Sequence, residues 1–253
     1  MKTLVIGGSH AALALAAELR KLSAEAEITV ISADPELPYQ RPPLSKAFMS
    51  QKVSFEQILL RPEDWFAANS IELRRNTRAE RIDRESRTVT LSGGDVLPFD
   101  HLVLATGARP RRLPEAIGGH LPNVHVMRDL SDALSLMDSM KEGSRLVVIG
   151  GGYIGLEAAS EAAKKGVSVT VIEAADRILK RVACAETADD VRSLHHAHGV
   201  RIFENASLVR IIEGDNLATG VELTDGSVIA ADFVITGIGV FPDTALAESC
   251  GLH

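Results

Sequence analysis

The feature that most constrains this chain is a glycine-rich turn between an apolar strand and a helix. The predicted strand at residues 145–149 is followed by Gly150, Gly152 and Gly155, in the spacing G-x-G-x-x-G. In this pattern the first glycine makes a tight turn, the second lets phosphate approach bare backbone, and the third lets helix and strand pack closely. The N-terminus of the following helix offers free N–H groups and a partial positive charge to phosphate. The turn therefore predicts a dinucleotide site.

The acid that such a site requires is also present. A second predicted strand, at residues 167–172, ends at Glu173, which stands 18 residues after Gly155. A carboxylate at the end of this strand accepts hydrogen bonds from both ribose hydroxyls and repels a 2′-phosphate. The sequence therefore predicts NADH rather than NADPH at this turn.

The same pattern occurs earlier in the chain in a less regular form. The apolar run at residues 4–6 leads into Gly7-x-Ser9-x-x-Ala12, and Asp34 follows Ala12 by 22 residues. Alanine is tolerated at the packing position, while serine adds bulk but brings a hydroxyl that can donate to a phosphate oxygen. Taken alone, this turn also fits an ordinary strand–helix–strand unit that binds no ligand.

Both halves also end alike, with a hairpin on a glycine turn and then an apolar strand that ends at glycine (91–107 and 223–237). We therefore predict an α/β chain made of two homologous modules, joined where proline and glycine cluster. The predicted boundaries are 1–112 for the first module, 113–241 for the second, and 242–253 for the start of a return towards the first.

Composition excludes several classes of protein. The net charge of −7 provides no basic field for nucleic acid, and two cysteines form neither a disulfide scaffold nor a four-ligand zinc site. No apolar run reaches the roughly 18 residues of a membrane span, and the first apolar stretch is too short for a signal peptide, so we predict a soluble, cytoplasmic protein. We interpret the histidines at 195, 196 and 198 as part of a surface helix rather than as metal ligands, and we predict no metal site.

Two further motifs carry a resemblance to a known family. Pro38 to Lys46 reads P-Y-Q-R-P-P-L-S-K, and Ala105 to Arg111 reads A-T-G-A-R-P-R. With these motifs the whole chain resembles the FAD- and NADH-dependent ferredoxin reductases, which include putidaredoxin, rhodocoxin and rubredoxin reductases. The resemblance implies the glutathione-reductase type of fold, with two Rossmann-like modules of three layers (β/β/α), and both FAD and NADH as cofactors.

For the first module, the resemblance implies an FAD site. Asp34 would bind the adenosine ribose, and Ala79 would contact adenine through its backbone. Lys46 would lie near flavin N5, where an ammonium stabilises the negative charge that arrives with hydride. Arg128 would reach FAD, although a surface ion pair explains it nearly as well. The remaining implied contacts are Gly7, Ser9, His10, Ala11, Arg41, Ser45, Ala105, Thr106, Gly107 and Arg109.

For the second module, the resemblance implies an NADH site in which Gly152, Tyr153 and Ile154 meet the phosphates and the flavin-facing side. Tyr153 would gate the nicotinamide pocket, or it would be a packed core tyrosine. Glu157 would hydrogen-bond the nicotinamide carboxamide, or it would form an ion pair on the helix surface. Glu173 would bind the ribose. The residues implied to support the nicotinamide are Ile238 and Gly239.

The expected reaction is hydride transfer from NADH to FAD, followed by electron transfer to a ferredoxin-like iron–sulfur protein. No cysteine precedes Cys184, so the dithiol chemistry of the disulfide reductases is not expected. A monodehydroascorbate-reductase-like enzyme is one alternative. A second is a non-catalytic, C-terminally truncated fragment with weakened FAD binding, since the family's second flavin motif and its interface domain do not occur before His253. The sequence does not determine the oligomeric state.

Overall fold

The computed structural model describes residues 1–252, which form two compact units. Unit 1 comprises Met1–Gln40, Val53–Arg109 and the chain from Pro242 onward, whereas unit 2 comprises Arg41–Lys52 and Pro110–Phe241. The sequence analysis placed the segment 41–52 within the first module, whereas its contacts place it in unit 2.

The strands and helices occur along the chain in the following order. Up to residue 110 they are β1 (Lys2–Ile6), α1 (His10–Leu22), β2 (Glu27–Ile31), α2 (Glu63–Ala68), β3 (Ile71–Arg74), β4 (Ala79–Asp83), β5 (Thr88–Leu91), β6 (Val96–Pro98), β7 (His101–Leu104) and β8 (Ala108–Pro110). Beyond it they are β9 (Val124–His125), α3 (Leu130–Ser139), β10 (Arg145–Ile149), α4 (Tyr153–Lys164), β11 (Ser168–Ile172), α5 (Ala185–Ala197), β12 (Arg201–Phe203), β13 (Leu208–Gly214), β14 (Leu217–Leu223), β15 (Val228–Ala230), β16 (Phe233–Thr236), β17 (Val240–Pro242) and α6 (Ala245–Ser249).

Unit 1 is built on a parallel sheet with the order β3-β2-β1-β7. Because side chains alternate across a strand, β1 serves two cores. Val5 packs with Ala12 and Ala16 of α1, while Leu4 and Ile6 pack in a separate core with residues of the antiparallel sheet β4-β5-β6. The parallel sheet therefore has a helical layer on one face and a second sheet on the other.

Unit 2 repeats this plan on a parallel sheet with the order β12-β11-β10-β16-β9. Val147 and Ile149 of β10 share a core with Ile211 and Val221 of the antiparallel sheet β13-β14-β15. Helix α4 packs against β10 and β11. The prediction of two three-layer α/β modules is confirmed.

Three further features concern membrane spans, metal-binding clusters and the arginines of residues 74–87. No helix within residues 1–252 is long and apolar enough to cross a bilayer. Over the same residues, no group of three or more His, Cys, Asp or Glu side chains could hold a metal ion. In an arginine-rich run at residues 74–87, Arg74 pairs with Glu72 at 2.7 Å and Arg75 with Glu63 at 3.1 Å.

Candidate functional site

The turn between β10 and α4 has the backbone that a dinucleotide site needs. Gly150 has a φ of +105°, and a Cβ on it would lie 2.7 Å from the carbonyl oxygen of Gly237. Gly155 is buried, and a Cβ there would overlap with the carbonyl of Gly150. Gly152 differs, because an added Cβ would meet only the Gly237 oxygen, at 3.9 Å. The fold itself thus requires glycine at positions 150 and 155. Gly152 instead leaves open space at the N-cap of α4, where a phosphate can approach.

Glu173 braces this turn with both of its carboxylate oxygens. Oε2 accepts the backbone N–H of Gly151 at 2.7 Å, and Oε1 accepts the N–H of Ala175 at 2.7 Å. Charge-assisted bonds of this kind are stronger than neutral ones and hold the carboxylate in one orientation. Glu173 therefore lies against the glycine turn, which is the position expected for a carboxylate that binds the ribose.

Tyr153 and Ile154 begin α4 and extend into solvent. Tyr153 is 57% exposed and Ile154 39% exposed. The packed-core alternative does not fit a tyrosine that is more than half exposed, so its ring is available to a ligand.

The loop after β16 lies beside the same turn. The N–H of Gly237 donates to the carbonyl of Ile149 at 2.7 Å, which ties the loop to the end of β10. Ile238 is half-buried, and Gly239 follows with a φ of +103°. Since the carboxyl ends of parallel strands form the ligand-binding edge of such sheets, Ile238 and Gly239 lie at the edge that the glycine turn also borders.

The P-P-L-S-K motif is anchored in unit 2. Leu44 and Met49 are fully buried, and the short 3₁₀ turn Pro42–Ser45 packs against α3 and α4. This packing explains why segment 41–52 belongs with unit 2. It brings the motif next to the helix that begins at the glycine turn.

Lys46, Ser45 and Glu157 form one polar cluster there. The ammonium of Lys46 lies 2.9 Å from Oε1 of Glu157, and the buried Ser45 hydroxyl donates to Oε2 at 2.6 Å. Both carboxylate oxygens of Glu157 are therefore engaged, and the ammonium is held at a defined place while the Lys46 side chain remains 54% exposed. The structure thus joins two residues that the sequence analysis assigned to different cofactors.

Arg41 and Arg128 are also brought together. Nη1 of Arg41 donates to the backbone carbonyl of Arg128 at 2.7 Å. Arg128 precedes the capping box of α3, in which Asp129 and Asp132 cap each other's backbone and Asp132 also accepts the N–H of Arg128 at 2.9 Å. Burial, reinforced by the neighbouring Asp129, raises the pKa of Asp132. These contacts fix the backbone that carries Arg128.

Unit 1 has its own ligand-binding turn, between β1 and α1. Gly7 has a φ of +117°, and a Cβ on it would overlap with the carbonyl of Ala105, so only glycine fits. Ser9 is the N-cap residue of α1, yet its hydroxyl makes no capping hydrogen bond. His10 and Ala11 are exposed in the first turn of the helix. A 13-residue helix that begins on an uncommitted hydroxyl fits the pyrophosphate of a dinucleotide such as FAD.

Asp34 is held in position just after β2. Its Oδ1 accepts the N–H of Glu36 and its Oδ2 accepts the hydroxyl of Tyr39, both at 3.1 Å. Tyr39 is buried and packs edge-to-face on Phe55. The carboxylate is therefore oriented before any ribose binds. The sequence motif gave no role to Tyr39, whereas in the structure its hydroxyl orients Asp34.

The loop after β7 is organised by Asp243, a residue that the sequence analysis missed. Its carbonyl accepts the hydroxyl of Thr106 at 2.6 Å, its N–H donates to the Gly107 carbonyl at 2.9 Å, and its carboxylate pairs with Arg109 at 3.1 Å. Asp243 stands 137 residues after Thr106, and no local pattern marks that contact. Of the remaining implied residues, Ala105 donates its N–H to the Ile6 carbonyl and Ala79 begins β4.

The whole chain, residues 1–253, matches the pyridine nucleotide-disulphide oxidoreductase family. Among curated proteins, it is 41% identical to rhodocoxin reductase of Rhodococcus erythropolis over 252 residues, which cover 100% of this chain and 59% of that protein. It is 38% identical to putidaredoxin reductase of Pseudomonas putida, covering 98% of this chain and 60% of the relative. The chain thus spans about three fifths of the length of these relatives.

Solved structures show the same likeness. The crystal structure of a covalent putidaredoxin reductase–putidaredoxin complex superposes with a TM-score of 0.94 at 36% identity, covering 100% of this chain and 61% of the matched one. An NAD-dependent persulfide reductase from A. fulgidus superposes with a TM-score of 0.93 at 31% identity, covering 100% of this chain and 48% of the other. These similarities cover both units.

Proposed function

Since this chain belongs to the pyridine nucleotide-disulphide oxidoreductase family, we propose that it is an NADH-dependent flavoenzyme that passes electrons to a small iron–sulfur protein. The observation that carries this proposal is the Lys46–Glu157–Ser45 cluster beside the helix of the glycine turn. It places a held ammonium next to the helix that would bind NADH, where hydride transfer needs a positive charge. The relatives named for rhodocoxin and putidaredoxin support the choice of acceptor.

FAD, when bound, supplies a centre that accepts two electrons as hydride and releases them one at a time. The chain's part is to bind, orient and charge-balance the reactants. The Ser9 hydroxyl and the helix N-terminus behind it would hold the pyrophosphate, Asp34 would hold the ribose, and the 105–109 loop braced by Asp243 would cover the diphosphate. The residues proposed for FAD are Gly7, Ser9, His10, Ala11, Asp34, Arg41, Ser45, Lys46, Ala79, Ala105, Thr106, Gly107, Arg109 and Arg128.

NADH would bind at the second glycine turn. Its diphosphate would approach Gly152, its adenosine ribose would meet Glu173, and Tyr153 and Ile238 would border the nicotinamide. Glu157 lies 2.9 Å from the Lys46 ammonium, and in this proposal it holds that ammonium in place. We place the reaction in the cytoplasm because NADH is a cytoplasmic reductant.

Steady-state turnover tests the proposed function. FAD-loaded protein is expected to reduce ferricyanide with NADH as the electron donor, and to do so much more slowly with NADPH. FAD-loaded protein that consumes no NADH in the presence of ferricyanide would overturn the enzyme assignment.

Glu173 is expected to set the preference for NADH. In Glu173→Gln the amide oxygen can accept only one of the two backbone N–H groups, and the repulsion of a 2′-phosphate disappears. We expect the ratio of NADPH to NADH dissociation constants to fall by about tenfold, on the scale of one charge-assisted hydrogen bond. Titration calorimetry with both nucleotides measures this ratio. Glu213→Gln, at an exposed site on β13, is the control and is expected to leave the ratio unchanged.

A further inference from the structure

Arg111 contacts three consecutive residues after β16, namely Gly239 and the first two residues of β17. Its backbone N–H donates to the carbonyl of Gly239 at 2.9 Å, and its side-chain Nε makes a long hydrogen bond to the carbonyl of Val240 at 3.4 Å. Its guanidinium carbon lies 4.0 Å from the centre of the Phe241 ring. A guanidinium over an aromatic face at this distance is a favourable cation–π contact. All four residues lie in unit 2.

Residues 239–241 are exposed, and their side chains add little apolar burial. Gly239 is exposed with a φ of +103°, and glycine has the largest backbone freedom to lose when it is held in one conformation. Val240 is 45% exposed and Phe241 51% exposed, so apolar burial holds neither side chain tightly. If an added Cβ were placed on Gly239, its nearest neighbours would be the Cδ and Nε atoms of Arg111, both at 3.8 Å. The Arg111 side chain therefore lies directly against residues 239–241.

Residues 238–241 follow Gly237, which borders the dinucleotide turn. Gly237, two residues before Gly239, carries the carbonyl oxygen that lies closest to the Cβ positions of Gly150 and Gly152. Movement of residues 238–241 would change the edge of the site after Gly237 while leaving the glycine turn itself in place, because Glu173 and the packing of α4 hold that turn independently.

We propose that Arg111 is a positioning residue for the nicotinamide end of NADH, acting through Ile238 and Gly239. This inference rests on the proposed function, because it takes NADH to be the ligand of the second glycine turn. Arg111 is not expected to contact the diphosphate or the adenosine of NADH. Loss of Arg111 therefore affects binding of the nicotinamide half and spares the adenosine half.

Two ligands separate these halves. ADP-ribose keeps the adenosine, both phosphates and the second ribose but lacks the nicotinamide. For Arg111→Ala we expect NADH to bind about tenfold more weakly, the scale of a lost cation–π and hydrogen-bond clamp, and ADP-ribose to bind within about twofold of the wild type. Titration calorimetry measures both dissociation constants.

Arg112→Ala is the matched control. Arg112 is the adjacent exposed arginine, and its charge acts on Asp132 in the first turn of α3. Its removal changes the net charge equally and is expected to alter neither dissociation constant. Arg111→Lys keeps the charge but loses the planar stacking, so an intermediate loss of NADH affinity is expected.

A second readout does not depend on the ligand. Amide hydrogen exchange at Val240 and Phe241 is expected to be faster in Arg111→Ala than in Arg112→Ala, with an unchanged melting temperature. Equal loss of affinity for NADH and ADP-ribose, or unchanged affinity for both, would overturn the positioning role. Wild-type protein that binds neither nucleotide would instead overturn the proposed function on which the inference rests.

Discussion

Replacing Gly152 by valine is expected to abolish nucleotide binding at the second turn while leaving the protein folded. A Cβ at this position meets only the carbonyl oxygen of Gly237, at 3.9 Å, and the backbone φ of −85° suits any residue. The valine side chain would fill the space through which phosphate reaches the helix N-terminus. We expect the dissociation constant for NADH to rise by about 100-fold or more, because the phosphate contacts are lost as a group.

The neighbouring glycine provides the contrast. A Cβ on Gly155 would overlap with the carbonyl of Gly150 and lie 3.0 Å from a methyl carbon of Val148, so Gly155→Val forces the helix away from the strand. Gly155→Val is expected to lose about 3 kcal/mol or more of unfolding free energy, and Gly152→Val about 1 kcal/mol or less, the cost of a poorer N-cap. Thermal melts and titration calorimetry on the two variants measure both effects. A Gly152→Val protein that binds NADH normally would show that phosphate does not approach there.

Replacing Lys46 by methionine is expected to slow flavin reduction strongly. The Lys46 ammonium is held 2.9 Å from Glu157, and the Ser45 hydroxyl fixes the second oxygen of the same carboxylate. Methionine keeps the length of the side chain and removes the charge that would stabilise arriving hydride. We expect the rate constant for reduction of bound FAD by NADH to fall by about 100-fold, as for the loss of one preorganised electrostatic group. Anaerobic stopped-flow absorbance measures this rate.

The same experiment has internal controls. Lys52→Met removes a lysine from an exposed position of the same segment and is expected to leave the rate unchanged. Glu157→Gln keeps an acceptor for Ser45 but loses the ion pair, so the ammonium is present but less well placed, and we expect a loss of about tenfold. A Lys46→Met protein that reduces FAD at the rate of the Lys52→Met protein would remove Lys46 from the reaction.

The sequence predicted those features that depend on local order. Each glycine turn, its flanking strands and helix, and the acid that follows (residue 34 or 173) occupy a short stretch of chain. The two strand–turn–helix–strand units predicted from these stretches are confirmed. The exposure of Tyr153 could not be read in the same way, because an aromatic residue after a glycine turn fits either a core or a surface.

Contacts between residues far apart in the sequence could not be predicted from local patterns. Ser45 and Glu157 are 112 residues apart, and the sequence analysis assigned Ser45 to the flavin and Glu157 to the nicotinamide carboxamide. Asp243 braces a loop 137 residues earlier. These contacts arise from the packing of segment 41–52 against α3 and α4 and from the return of the chain to unit 1 after residue 241, which no local spacing indicates.

Anaerobic mixing of FAD-loaded wild-type protein with NADH tests the central claim most directly. The visible absorbance of the bound flavin is expected to bleach in a single turnover with NADH, and much more slowly with NADPH. Protein that binds FAD and NADH in equal amounts and keeps its flavin absorbance, or that binds no FAD at all, would contradict the assignment of the two turns to these two cofactors.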